Sequence, residues 1–260
     1  MHPELIRVGS FSLPTYGLLV AFGFLAALWL LRRRATAFGI TPEKAVDTAI
    51  WILLAGLIGS KLLLVIVEWP YYVSSWAAAS SLLRSAGVFY GGLAGALLVA
   101  TFLLRRKGIG FWRFVDAAAP AVALGHAIGR LGCFAAGCCW GRAASVPWAV
   151  KFTDPAAERN VGVPLNVPLH PTQLYESAGL LALCGLLLLF ERRRYDGETF
   201  VRYLFGYATL RFAVELFRGD PRGSVLGGAL STSQLIALVG LVAASLIWLR
   251  RHRLSSPIAA

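Results

Sequence analysis

The residues best suited to chemistry sit in one run, Gly129-Arg130-Leu131-Gly132-Cys133-Phe134-Ala135-Ala136-Gly137-Cys138-Cys139-Trp140-Gly141-Arg142, which holds two arginines, four glycines and three thiols. The run closes a long apolar segment. A guanidinium there is costly unless something anionic meets it. His126, Arg130 and Cys133 are spaced four and three residues apart, so they share one face of a helix. Cys138, Cys139 and His170 are near in sequence, so a metal centre has to be weighed. The spacing matches no zinc pattern such as paired C-x-x-C units, so a metal is the less favoured reading. A thiolate stabilised by the adjacent arginine is preferred to a metal, with plain packing by small residues left open.

A second arginine, Arg218, ends another apolar segment and is followed by Gly219-Asp220. Two guanidiniums converging at headgroup depth could make bidentate contacts to a phosphate, and phospholipid is the abundant phosphate there. The competing reading is that both snorkel to the interface. Lys61, Asp116, Glu176, Arg211 and Glu215 also fall within or at the ends of apolar segments. Arg211 and Glu215 are four apart and read as a structural ion pair. Asp116 reads as a cap or snorkelling group, and Cys184 as a packing residue.

These groups must be positioned by an apolar framework. Hydrophobic residues make up 57% and charged residues 15% of the 260-residue chain, against about a quarter charged in soluble domains. The chain reads as an all-α integral membrane protein forming a single membrane-embedded domain over 1–260. Seven segments are near the ~20 residues needed to span ~30 Å of hydrocarbon: Leu13–Leu31, Val46–Val67, Val88–Leu104, Phe114–Phe134, Thr172–Phe190, Phe200–Phe217 and Ser231–Leu249. They are continuous runs, unlike the ten-residue alternations of a barrel. Basic clusters follow segments one, three, five and seven, as Arg32-Arg33-Arg34, Arg105-Arg106-Lys107, Arg192-Arg193-Arg194 and Arg250-Arg251-His252-Arg253. The positive-inside rule then puts the N-terminus in the periplasm and the C-terminus in the cytoplasm. The formal net charge of +12 is explained by that topology and by anionic lipids, with no nucleic-acid partner. Segment one lacks the flanks of a cleaved signal peptide.

The outward connections carry the unusual residues. Glu68–Trp76 is aromatic and suits a short interfacial helix. Ala135–Pro171 reads as a periplasmic loop region with a hairpin, because Trp148–Phe152 alternates. Glycines at helical spacing in segments two, three and four are explained by close helix packing.

Several stretches resemble the prolipoprotein diacylglyceryl transferase family. His170-Pro171-Thr172-Gln173-Leu174-Tyr175-Glu176 is similar to the family's HPSQLYE. The run at Gly129–Arg142 resembles GRxGNFxNxExxGR in its arginine, glycine and phenylalanine positions. Thr15-Tyr16-Gly17-Leu18 is similar to WYGL, Phe89-Tyr90-Gly91-Gly92-Leu93-Ala94-Gly95 to FHGGLxG, and Glu215-Leu216-Phe217-Arg218 to EFFR. The chain departs from those patterns with Tyr90 for the histidine of FHGG, Cys133 and Ala136 for the two asparagines, and Cys138 for the glutamate. The resemblance implies a bacterial inner-membrane enzyme with its site toward the periplasm. It implies transfer of a diacylglyceryl group from phosphatidylglycerol to the lipobox cysteine of a preprolipoprotein, without a cofactor. By position, Arg130 and Arg218 would hold the phosphate, and Tyr16, Gly141, His170 and Glu176 would complete the substrate site. Tyr90, His126 and Cys133 are the further catalytic candidates, with His126 a replacement base two turns from Cys133. Two other readings stay open: a diverged enzyme using Cys133, Cys138 and Cys139 for a different lipid, thiol or redox reaction, and a non-catalytic lipid-binding homologue.

Overall fold

The computed structural model describes residues 4–8, 11–82, 87–191, 193–221 and 223–254. Arg192 of the third basic cluster lies outside them. Each apolar segment read from the sequence is occupied by a helix: α1 (Thr15–Ala35), α2 (Pro42–Val67), α5 (Phe89–Arg106), α6 (Phe111–Ala136), α8 (Thr172–Leu189), α9 (Glu198–Glu215) and α10 (Thr232–Leu254). Six of these are long and apolar enough to cross a membrane. The difference from the expected seven is α9, which matches α8 in length but carries Glu198, Arg202, Arg211 and Glu215. Those charges are paired within the protein: Arg202 with Glu198 at 2.6 Å and Arg211 with Glu215 at 2.7 Å, the latter as expected from their spacing. Pairing keeps the charges from facing hydrocarbon singly.

The chain divides into two compact units, Met1–Leu30 with Val115–Ala260, and Leu31–Phe114. In the second unit α2 and α5 pack through their glycines. A Cβ added at Gly95 would come 2.6 Å from the Ala55 carbonyl oxygen, and one at Gly92 would come 3.1 Å from that of Gly56. Backbones that approach this closely gain dispersion contact where no hydrophobic force acts between helices. Lys107 Nζ ties the end of α5 to Asp47 and to Thr48 on α2. The aromatic connection holds two short helices, α3 (Trp69–Tyr72) and α4 (Trp76–Ser81), the latter capped by the Ser75 hydroxyl, which accepts from Ala78 N at 3.1 Å.

In the first unit, β1 (Glu4–Val8) pairs antiparallel with β2 (Phe11–Pro14) ahead of α1. α1 meets α6 through Gly23 and Gly125, where a Cβ at Gly125 would lie 2.9 Å from Gly23 O. Asp116 is buried on α6 and accepts hydrogen bonds from Gly197 N (2.6 Å) and Phe200 N (2.8 Å), so it caps the start of α9. Cys184 is buried on α8. The region 135–171 folds on its own small core of Phe152, Ala157, Val163 and Leu169, with Phe134, Trp140, Leu165 and Val167 packed against it. It contains β3 (Val150–Lys151), α7 (Pro155–Val161) and β4 (Pro168–Leu169). Of the alternating Trp148–Phe152 stretch only Val150–Lys151 forms a strand, and it pairs with the distant β4 rather than closing the expected local hairpin.

Candidate active site

The site lies within the first unit, where the end of α6, the loop after it, the start of α8 and the end of α9 meet. α8 opens with four buried polar side chains, Thr172, Gln173, Glu176 and Ser177. Three of them fasten α8 to α6 and its loop. Ser177 Oγ donates to Ala127 O (2.9 Å), Gln173 Nε2 to Cys138 O (2.7 Å) and Thr172 Oγ1 to Cys139 O (2.7 Å). Buried polar groups persist when hydrogen-bonded in this way.

Glu176 is the fourth and the most consequential. It is fully buried, and its Oε1 receives Arg130 Nη2 at 2.9 Å. His126 Nε2 stands 3.7 Å from the same oxygen, and the Tyr207 hydroxyl approaches it at 3.5 Å. The His126 and Tyr207 rings meet edge to face, with centroids 5.3 Å apart. A buried carboxylate held by a guanidinium fixes the arginine's direction. Arg130 still has capacity to spare, because its Nε is buried and makes no hydrogen bond. Its Nη1 points at thiols, 3.6 Å from Cys139 Sγ and 4.0 Å from Cys133 Sγ.

Arg218 reaches the same loop from the end of α9. Its guanidinium is held in a fork by Asp220, with both N···O distances 2.9 Å, and its Nη1 is buried without a hydrogen-bond partner. It lies against Cys139. Contacts with Cys133 and Cys138 hold the Cys139 thiol well below the ordinary thiol range, against the effect of burial, and Arg218 adds to this.

Gly141 explains how Arg218 is placed. Its N–H donates to His170 O (3.1 Å), Arg142 N donates to Phe217 O (2.9 Å), and Gly219 N donates to Trp140 O (3.2 Å). Gly141 thus pairs as a β-bridge with Arg218. A Cβ at Gly141 would sit 2.6 Å from His170 Cβ and 2.8 Å from Phe217 O, so no side chain fits. Gly141→Ala is expected to destabilise the fold by roughly 1–3 kcal/mol, as overpacking does. It should also lower substrate turnover at least ~10-fold by moving Arg218, as small misplacements can. A thermal melt beside a transfer assay checks both.

Tyr16, on the first turn of α1 and 44% exposed, packs on Gly132, where an added Cβ would touch its ring at 3.3 Å. His170 Nδ1 is 3.0 Å from the Tyr175 hydroxyl, which accepts from Trp148 Nε1 at 2.7 Å, and the His170 ring meets Phe217 edge to face. Its backbone and ring brace the loop. Tyr90 belongs to the other unit, on the first turn of α5, with its ring edge-on to Phe89. Sequence reasoning missed Tyr207. The available signal was the four-residue spacing of Tyr203, Tyr207 and Arg211, a polar stripe along an otherwise apolar segment.

The helices and the site together define a multi-pass membrane protein that presents buried cationic groups suited to an anionic, lipid-borne substrate. Residues 3–250 match the family described as prolipoprotein diacylglyceryl transferase. Relatives named phosphatidylglycerol–prolipoprotein diacylglyceryl transferase include those of Clostridium tetani (34% identical, 93% of this chain, 94% of theirs) and Solidesulfovibrio magneticus (34%, 97% and 96%). A second enzyme of that name from Clostridium perfringens is 35% identical over 95% of this chain and 94% of its own. The chain belongs to the prolipoprotein diacylglyceryl transferase family, and the resemblance drawn from the motifs is the family found.

Proposed function

We propose that this protein is a phosphatidylglycerol–prolipoprotein diacylglyceryl transferase. It acts in a bacterial inner membrane, with its site toward the periplasmic face and its basic helix ends toward the cytoplasm. The observation that carries the reading is the meeting of two guanidiniums, from α6 and from the end of α9, at one thiol loop, each with a buried N–H lacking a partner. Unsatisfied buried donors are rare and ask for a ligand. A lipid phosphate supplies oxygens to both.

The chemistry follows from that placement. The acceptor cysteine's sulfur attacks the phosphate-bearing carbon of the diacylated glycerol. A C–S bond forms, the C–O bond breaks, and the electron pair leaves on glycerol phosphate. Arg130 and Arg218 stabilise the charge that grows on the leaving group. The acceptor thiol must lose its proton, and His126, oriented toward Glu176 within the site, is the group we assign to accept it. Glu176 keeps Arg130 and His126 in register. Tyr16 borders the loop, and Tyr90 is retained as a candidate for its place in the motif.

Purified protein given labelled phosphatidylglycerol and a lipobox peptide should yield a thioether-linked diacylglyceryl peptide and glycerol phosphate. Lipid binding that depends on Arg130 but gives no product would make the protein a non-catalytic homologue. A relay through the protein's own thiols is a second reading, favoured by Arg130 lying beside Cys133 and Cys139. It faces a chemical obstacle: a thioether on Cys139 is a poor leaving group, so a lipidated enzyme would be an end product. Intact-mass spectrometry after incubation with lipid alone should show no added diacylglyceryl group. An adduct that chases onto peptide would replace the direct-transfer mechanism.

A further inference from the structure

We infer that Cys133, Cys138 and Cys139 form a binding site for one thiophilic d10 metal ion of the zinc(II) or copper(I) class. The sequence spacing argued against a metal, but the three sulfurs converge, each within 4.8 Å of the others. Sulfurs bound to one ion at about 2.3 Å stand ~4 Å apart, so closure requires movements below ~1 Å. No disulfide joins them.

The convergence is built into the fold. Cys133 occupies the last turn of α6, and Cys138 N donates back to Cys133 O (3.1 Å). Cys139 adopts φ +65°, a left-handed conformation uncommon outside glycine, which turns the loop back toward the helix. The Thr172 and Gln173 side chains pin the carbonyls of Cys139 and Cys138 from α8. The ligand set is all sulfur, which selects soft cations over calcium or magnesium. Arg130 Nη1, 3.6 Å and 4.0 Å from two of the sulfurs, is placed to donate to metal-bound thiolates, a supporting role that outer groups play at metal sites. Protons still held by the sulfurs pass to the solvent on binding.

The test titrates the reduced, full-length protein in detergent with cadmium(II) as the probe. Zinc(II) and copper(I) then compete in separate arms. The expected result is a thiolate-to-cadmium absorption band that saturates at one equivalent, with proton release and protection of the thiols from alkylation. Cys133→Ser, Cys138→Ser and Cys139→Ser should each weaken binding ~10-fold or more, while Cys184→Ser leaves it unchanged. Tighter competition by copper(I) assigns the site to that ion, and tighter competition by zinc(II) assigns it to zinc. Absence of the band in wild-type protein, or its persistence in all three serine variants, overturns the site. No lipid enters the measurement, so a negative result leaves the transferase function standing.

Discussion

Arg130→Gln is expected to lower kcat/KM for diacylglyceryl transfer by at least ~10³-fold, the loss typical of removing a donor aimed at developing charge. The same change strips fully buried Glu176 of its guanidinium, a loss of about 3–5 kcal/mol when one partner of a buried pair is removed. A rate loss could therefore be mistaken for unfolding. Arg130→Lys separates the two effects. It keeps the positive charge for Glu176 but gives up the fork that serves carboxylate and thiol loop together, so it should melt near wild type while losing ~10²-fold in rate. A lysine variant with wild-type turnover would mean that Arg130 serves only Glu176.

Arg218→Lys should show the second-largest effect, a loss of about 10²-fold in kcat/KM, again read beside a melting curve. The side chain is 3% exposed and its fork is filled by Asp220, so its geometry is fixed before any ligand arrives. Because both arginines act on one phosphate, the double variant Arg130→Lys with Arg218→Lys should lose less than the product of the single losses. Full additivity would place the two guanidiniums on different ligands.

Much of the framework was legible because it follows from solvent. Residues such as Leu57, Ile58 and Ile66 on α2 remain exposed in the folded chain, at 51%, 59% and 67%, as side chains facing hydrocarbon must. Length and apolarity therefore located the helices to within a few residues. The exception is informative. α9 falls outside the six by its four charges alone, yet those charges are paired internally, and whether a charge in a span finds a partner is decided by packing. Local spacing did reveal the Arg211–Glu215 pair, since both residues lie on one helix.

The site was legible in its residue types and less so in its pairings. Arg130 and Glu176 were each picked out, but their ion pair depends on α6 lying against α8, which no local pattern states. Tyr207 was passed over because a tyrosine in an apolar segment looks ordinary until His126 and Glu176 stand beside it. The thiols were read from spacing as unsuited to a metal. Spacing could not anticipate that Cys139 turns left-handed and brings three sulfurs together. Gly141 matched a motif by position, and its reason appeared only with the His170 and Phe217 backbones on either side of it.

The most direct test places phosphatidylglycerol in bilayers with protein carrying 15N-labelled arginine and measures 31P–15N dipolar contacts in the solid state. Two guanidinium contacts to one lipid phosphate are expected, one lost in Arg130→Lys and the other in Arg218→Lys. A phosphate in contact with neither guanidinium, or contacts that survive both substitutions, would contradict the shared cradle on which the transfer mechanism depends.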